Sequence, residues 1–152
     1  CAGAAPSGCG KTTTAMAGSV FVGDDLAQMW IADDGSIRSI NPENGIFGIV
    51  EDVNQEGDPL LIKVLREPGH EVIWSNVLMD ENKVPHWVGN NEPPPERGIN
   101  FQGEWQKDKT TETGSPVPMS HPNSRCTLAS CSLDNYSPEA QNPEGVLTRV
   151  FT

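Results

Sequence analysis

No apolar run in this 152-residue chain approaches the roughly 20 residues that a bilayer-crossing helix requires, which excludes a helical membrane span. Cationic side chains are scarce too. Ten Lys and Arg stand against 21 Asp and Glu, a formal net charge of −11. Nucleic acids and anionic membranes select basic surfaces, so neither is an expected partner. The same balance allows nucleotide binding, where a few aimed cations, backbone dipoles and divalent metals set the local field. Cysteine is sparse as well: Cys1, Cys9, Cys126 and Cys131 are too few for a disulfide scaffold. The spacing of Cys126 and Cys131 fits no common zinc pattern and lacks a second pair. Reduced thiols in a cytoplasmic compartment are expected. There is no initiator Met, no charged leader of a secretory signal and no internal repeat.

What is present is concentrated near the start. Ala5-Pro6-Ser7-Gly8-Cys9-Gly10-Lys11-Thr12 matches a P-loop over residues 5–12, with Ala5 where glycine is usual. Glycines let successive backbone N–H groups turn toward a phosphate chain; a lysine adds a point charge and a threonine hydroxyl can reach a metal. Nucleoside triphosphates travel with Mg²⁺ or Mn²⁺, so a carboxylate at a strand end is also needed. Asp24 and Asp25, after Val20-Phe21-Val22-Gly23, meet that need. A Gly/Ser/Thr turn capping an ordinary helix is the competing reading. Cys9, among loop amides and beside Lys11, is expected to be a reactive thiol, unless it only fills a tight turn.

Along the chain, Lys11 to Ala17 suits a short helix ended by Gly18-Ser19, and Val20-Phe21-Val22 reads as a buried strand. Leu26 to Ala32 and Ser36 to Ile40 form two arms about Asp33-Asp34-Gly35. Leu60, Leu61, Val64 and Leu65 have helical spacing after the cap signal Asp58-Pro59, and Pro68-Gly69 stops that helix. Glu71 to Met79 and Val84 to Val88 pair about Asp80 to Lys83. From Asn90 onward, Pro, Gly and polar residues predict long functional loops, or an excursion over another domain. Val146 to Thr152 reads as a strand that stops abruptly. With the near-immediate P-loop, this suggests a piece of a longer enzyme.

Two loops carry more chemistry than a connection needs: Arg38 to Gly45 and Ser120-His121-Pro122-Asn123-Ser124-Arg125. Arg125 can grip a carboxylate or phosphate with two parallel bonds, and Asn123 can orient a carbonyl. Each also reads as an Asx-turn with a surface arginine. His70, His86 and the four tryptophans are expected to be packing or surface residues.

The chain resembles the nucleotide-binding portion of GTP-dependent phosphoenolpyruvate carboxykinases, closest to the archaeal branch. Pro6 to Thr12, Val22-Gly23-Asp24-Asp25, Ile40 to Gly45, His121 to Arg125 and Pro143-Glu144-Gly145-Val146 follow in that family's order. The fold this implies is α/β: a strand-rich, mixed-sheet P-loop mononucleotide-binding domain, truncated at both ends. Residues 1–152 would be one partial domain with a P-loop at 5–12, a metal-binding strand end at 22–25 and a substrate loop at 120–125. The reaction implied is decarboxylation of oxaloacetate with phosphoryl transfer from GTP, giving phosphoenolpyruvate, CO₂ and GDP, in gluconeogenesis.

By that resemblance, Ser7, Gly8, Cys9, Gly10, Lys11, Thr12, Thr13 and Arg125 bind nucleotide, and Ser7, Asn123, Ser124 and Arg125 line the substrate side. Asp25 ligates a substrate-side Mn²⁺, Thr12 the Mg²⁺ or Mn²⁺ that travels with GTP, and Asp24 supports the metals. Cys9, Lys11 and Arg125 form the catalytic set, with Cys9 modulating rather than attacking. Partners implied are GTP/GDP, oxaloacetate/phosphoenolpyruvate, CO₂ and the rest of the parent chain, as a monomer. The family's lysine and histidine metal ligands would lie before residue 1, and its guanine pocket and lid after residue 152, so the isolated chain is expected to be inactive. Cys126 replaces an aromatic frequent after Asn-Ser-Arg, and Thr13 an asparagine. A P-loop kinase and a non-catalytic nucleotide-binding module are the alternatives; the first needs a base near its acceptor, which this chain does not obviously offer.

Overall fold

Pro59, with its fixed φ, opens helix α2 (Pro59–Arg66), whose Leu61, Ile62, Val64 and Leu65 form a buried stripe. This stripe and the inner face of a three-stranded sheet make the core. The computed structural model describes residues 1–6 and 9–152; Ser7 and Gly8 of the phosphate loop lie outside the described residues. The core sheet has β3 (Gly45–Ile49) and β4 (Val72–Ser75) antiparallel on either side of β9 (Arg125–Ala129). Its register puts Leu128 between Ile46 and Val72, and Cys126 between Gly48 and Trp74. These residues alternate inward, while Phe47, Ile49 and Ile73 face outward and are exposed. Burying each large apolar side chain of this core contributes about 1.5–3 kcal/mol, so the stripe of α2 is a principal fastening.

A second sheet pairs β1 (Gln28–Ile31) with β2 (Ile37–Ile40), as the hairpin pattern predicts, and adds β10 (Val146–Leu147) on the far side of β2. The third sheet has the order β6-β5-β7-β8, from β5 (Leu78–Met79), β6 (Pro85–His86), β7 (Arg97–Asn100) and β8 (Gly103–Gln106). The chain is thus strand-rich with few helices, as expected.

Several local expectations need correction. Val20-Phe21-Val22 is no strand but a single parallel bridge between Phe21 and Tyr136: Phe21 is buried, while Val20 is largely exposed. Glu71 to Met79 is broken where Asn76 takes a φ of 60°, so β4 joins the core sheet and β5 the third. The region after Asn90 is more regular than its composition suggests. It holds the β7–β8 hairpin and the central core strand β9. Val146 to Thr152 divides: β10 pairs with β2, and the following residues run parallel to the start of the chain, with the Ala2 N–H donating to Val150 O at 2.8 Å and the Thr152 N–H to Ala2 O at 3.0 Å.

Candidate phosphate and metal site

Helix α1 (Lys11–Met16) begins within the phosphate-loop motif, at its lysine. Gly10, at its N-cap, has a φ of 77°, a left-handed conformation that a side chain would strain. The loop's Cys9 N–H donates to Pro6 O at 3.3 Å, and the Thr14 N–H to Gly10 O at 2.9 Å, which starts the helical ladder. At the other end Asn135 closes the helix, its Nδ2 donating to Met16 O at 3.0 Å and Gly18 O at 2.8 Å. The local sequence offers no hint of this cap, which comes from 119 residues downstream. The bridge at Phe21 lies beside it: the Phe21 N–H donates to Asn135 O at 2.7 Å and the Ser137 N–H to Phe21 O at 2.7 Å. One stretch therefore anchors both α1 and the segment leading to Asp24.

Two pairs join the loop to that segment. Thr12 Oγ1 donates to Asp24 Oδ2 at 2.8 Å, and Lys11 Nζ lies 3.6 Å from Asp25 Oδ1. Burial raises the Asp24 carboxyl above the ordinary carboxylate range; the Thr12 hydrogen bond works against the shift and the neighbouring Asp25 charge adds to it. Two adjacent carboxylates, one of them destabilised by desolvation and by its neighbour, are a donor set that a hard divalent cation relieves. Asp24, Asp25 and the Thr12 hydroxyl thus fit a metal by charge and donor type. They do not complete a shell: among the described residues, no three His, Cys, Asp or Glu side chains converge to hold an ion.

Thr13 is exposed, and its hydroxyl donates to Asp58 Oδ1 at 2.9 Å. Asp58 stands at the N-cap position of α2, as its sequence predicts, but makes no side-chain capping bond there. The carboxylate ties α2 to α1 instead. Cys9 is exposed, and Ser7 and Gly8 lie outside the described residues.

The 120–125 loop is ordered by its own side chains. His121 Nδ1 accepts from the Asn123 N–H at 2.9 Å, and Asn123 Oδ1 accepts from Arg125 Nε at 2.8 Å. Arg125 also donates to Phe47 O at 3.3 Å and lies over the Phe47 ring, 4.6 Å from its centroid. It has no carboxylate partner among the described residues. Ser124 is fully buried, because the loop turns inward there to start β9, and among the described residues its Oγ has no hydrogen-bond partner. Next along, burial pushes the Cys126 thiol up to about 12, with a smaller push from Asp24. Arg125 and Cys126 alternate to opposite faces of the strand. The structure thus brings Lys11, Thr12, Asp24 and Asp25 into direct contact and holds Asn123 with Arg125 as a separate group.

Residues 1–152 match the phosphoenolpyruvate carboxykinase C-terminal P-loop domain from end to end. The chain belongs to that family. It is 44% identical over 143 residues to a Saccharolobus solfataricus protein named phosphoenolpyruvate carboxykinase [GTP], covering 93% of this chain and 22% of that protein. The Pyrococcus horikoshii protein of the same name is 45% identical over 147 residues, 95% of this chain and 23% of its own length. A Corynebacterium jeikeium relative, also so named, is 34% identical over 149 residues, again covering 93% and 23%. The chain therefore spans less than a quarter of the carboxykinases it matches. Among the described residues no helix is long and apolar enough to cross a membrane.

Proposed function

We propose that residues 1–152 are the phosphate- and metal-binding part of a GTP-dependent phosphoenolpyruvate carboxykinase, which converts oxaloacetate and GTP to phosphoenolpyruvate, CO₂ and GDP in the cytoplasm. The observation that supports this best is the coupling of the phosphate loop to two adjacent carboxylates, Thr12 to Asp24 and Lys11 to Asp25, in a chain of this family. A structural turn before a helix has no use for either pair. The proposed ligands are GTP/GDP, oxaloacetate/phosphoenolpyruvate, Mn²⁺ on the substrate side and Mg²⁺ or Mn²⁺ with the nucleotide; the enzyme acts as a monomer.

In this reading the backbone N–H groups around Ser7, Gly8, Cys9 and Gly10 cradle the outer phosphates. Lys11 leaves Asp25 for the phosphoryl oxygens; the pair is loose at 3.6 Å and Asp25 is mostly exposed, so the exchange costs little. Asp25, supported by Asp24, would hold the substrate-side metal, and the Thr12 hydroxyl would hold the metal that travels with the nucleotide. A divalent cation held there supplies Lewis-acid stabilisation of the charge left by loss of CO₂ and neutralises phosphate oxygens. Arg125 grips the transferring phosphoryl group and the organic acid. Asn123 fixes the fork of that guanidinium before substrate arrives, so less rotamer freedom is lost on binding. Ser124 supports the loop from beneath, and Thr13 holds α1 against α2. Cys9 is a modulating residue at the loop surface.

The test is stoichiometry in the complete enzyme. One CO₂ released from oxaloacetate per GDP formed is the expected result. GDP formation without CO₂, or phosphoryl transfer to a hydroxyl acceptor, would replace this reading with a nucleotidase or a kinase.

A further inference from the structure

Asn41 takes no part in the reaction outlined above, yet it touches Val22 and Gly23, the residues directly before the two metal carboxylates. Its half-buried side chain closes an Asx-turn, with Oδ1 accepting from the Glu43 N–H at 3.1 Å. Nδ2 donates to Glu43 O at 3.1 Å and, across the chain, to Val22 O at 3.4 Å. Pro42 restricts the Asn41 backbone to extended conformations, so the amide is fixed from both sides. Gly23 completes the arrangement. Its φ is not in the left-handed region, so glycine is not required there for backbone freedom. A Cβ on Gly23 would instead collide with the amide of Asn41. The Asn41 side chain thus occupies the space that any other residue at position 23 would fill.

The Asp24–Asp25 segment is therefore held at three points. Upstream, Phe21 is fastened by backbone bonds to Asn135 and Ser137. One residue before Asp24, the chain is pressed against Asn41. Thr12 then meets Asp24 from the phosphate loop. We propose that Asn41 is a positioning residue for the metal carboxylates: its amide, seated against Gly23, sets where Asp24 and Asp25 present their oxygens. The inference rests on the metal reading of those two aspartates. It accounts for the turn-rich Asn41-Pro42-Glu43-Asn44-Gly45 run, whose amide points back toward the segment it follows in sequence.

Groups that orient metal ligands change metal affinity by about 10–100-fold when removed. The experiment is a Mn²⁺ titration of the complete enzyme, with free Mn²⁺ read by electron paramagnetic resonance and the unfolding temperature recorded for each variant. Asn41→Ala is expected to weaken Mn²⁺ by about 10–100-fold at little cost to unfolding temperature. Gly23→Ala should weaken it similarly, because the new methyl displaces the amide. The double variant should bind no worse than Asn41→Ala alone, since the collision is gone and the two effects are not additive. Should Asn41→Ala fail to fold, Asn41→Ser keeps a turn-closing oxygen but cannot reach Val22, and it is expected to show the same loss.

Asp25→Asn separates the two levels of the argument. If Asp25→Asn weakens Mn²⁺ while Asn41→Ala or Asn41→Ser stays within twofold of the wild type, the positioning role is overturned. Fully additive losses from Gly23→Ala and Asn41→Ala overturn it as well. Unchanged affinity in Asp25→Asn overturns the metal reading and this inference with it.

Discussion

Replacing Lys11 with Ala in the complete enzyme removes a cation at the phosphate loop. Its ammonium sits on a side chain that is only 25% exposed, so part of its field escapes water screening. A unit charge about 4 Å from a phosphoryl oxygen is worth about 1 kcal/mol in bulk water and about 4 kcal/mol at the effective dielectric of a protein surface. The partly enclosed loop belongs nearer the second value. At about 1.4 kcal/mol per decade, Lys11→Ala should cost two to three orders of magnitude in turnover. Stability should hardly respond: among the described residues the only ionic partner of Lys11 is Asp25, 63% exposed at 3.6 Å, and such pairs contribute about 0–1 kcal/mol. The unfolding temperature should therefore move by no more than about 4 °C. Oxaloacetate-dependent GDP formation and a thermal melt on the same preparation check both halves. Turnover within tenfold of wild type would remove Lys11 from phosphoryl transfer, and a collapsed melt would mean the lysine supports the fold.

Asp25→Asn should abolish decarboxylation and phosphoryl transfer together, since an amide keeps the shape but loses the charge that offsets a divalent ion; persistence of either activity in steady-state assays would contradict this. Thiol titration of the native chain should label exposed Cys1, Cys9 and Cys131 and spare buried Cys126, whose thiol, pushed up to about 12, stays neutral at working pH; Cys9 should react fastest and be protected by GTP. Asp80 accepts from the N–H groups of Asn82 and Val84 and pairs with His86, contacts that hold its carboxyl below the ordinary value near 3.9. Its stabilising contribution is thus present above about pH 4 and lost as pH falls through the lowered folded value. Asp80→Asn should lower the neutral region of a stability-versus-pH curve and flatten its acid limb, so that the variant and wild-type curves converge in acid.

Local chemistry made much of this chain legible. The α2 stripe, the proline that opens it and the β1–β2 hairpin follow from spacing and turn residues, and the phosphate loop and Asp24-Asp25 from motif. The failures share a cause: pairing partners remote in sequence. The segment around Phe21 keeps one bridge because Tyr136 alone faces it, which no local pattern reveals. Strand β9 hid in a polar, proline-rich region because its inward residues, Cys126 and Leu128, are only two in five. The cap on α1 comes from Asn135, and the Asn41 contact with Gly23 spans an intervening hairpin. A serine between Asn123 and Arg125 suggests a polar surface, while the turn into β9 carries Ser124 inside.

The most direct measurement follows the γ-phosphoryl group of labelled GTP in the complete enzyme supplied with oxaloacetate and Mn²⁺. The label should appear on the enol oxygen of phosphoenolpyruvate, equimolar with the CO₂ released. Label recovered as inorganic phosphate, or on any acceptor formed without loss of CO₂, would contradict the account.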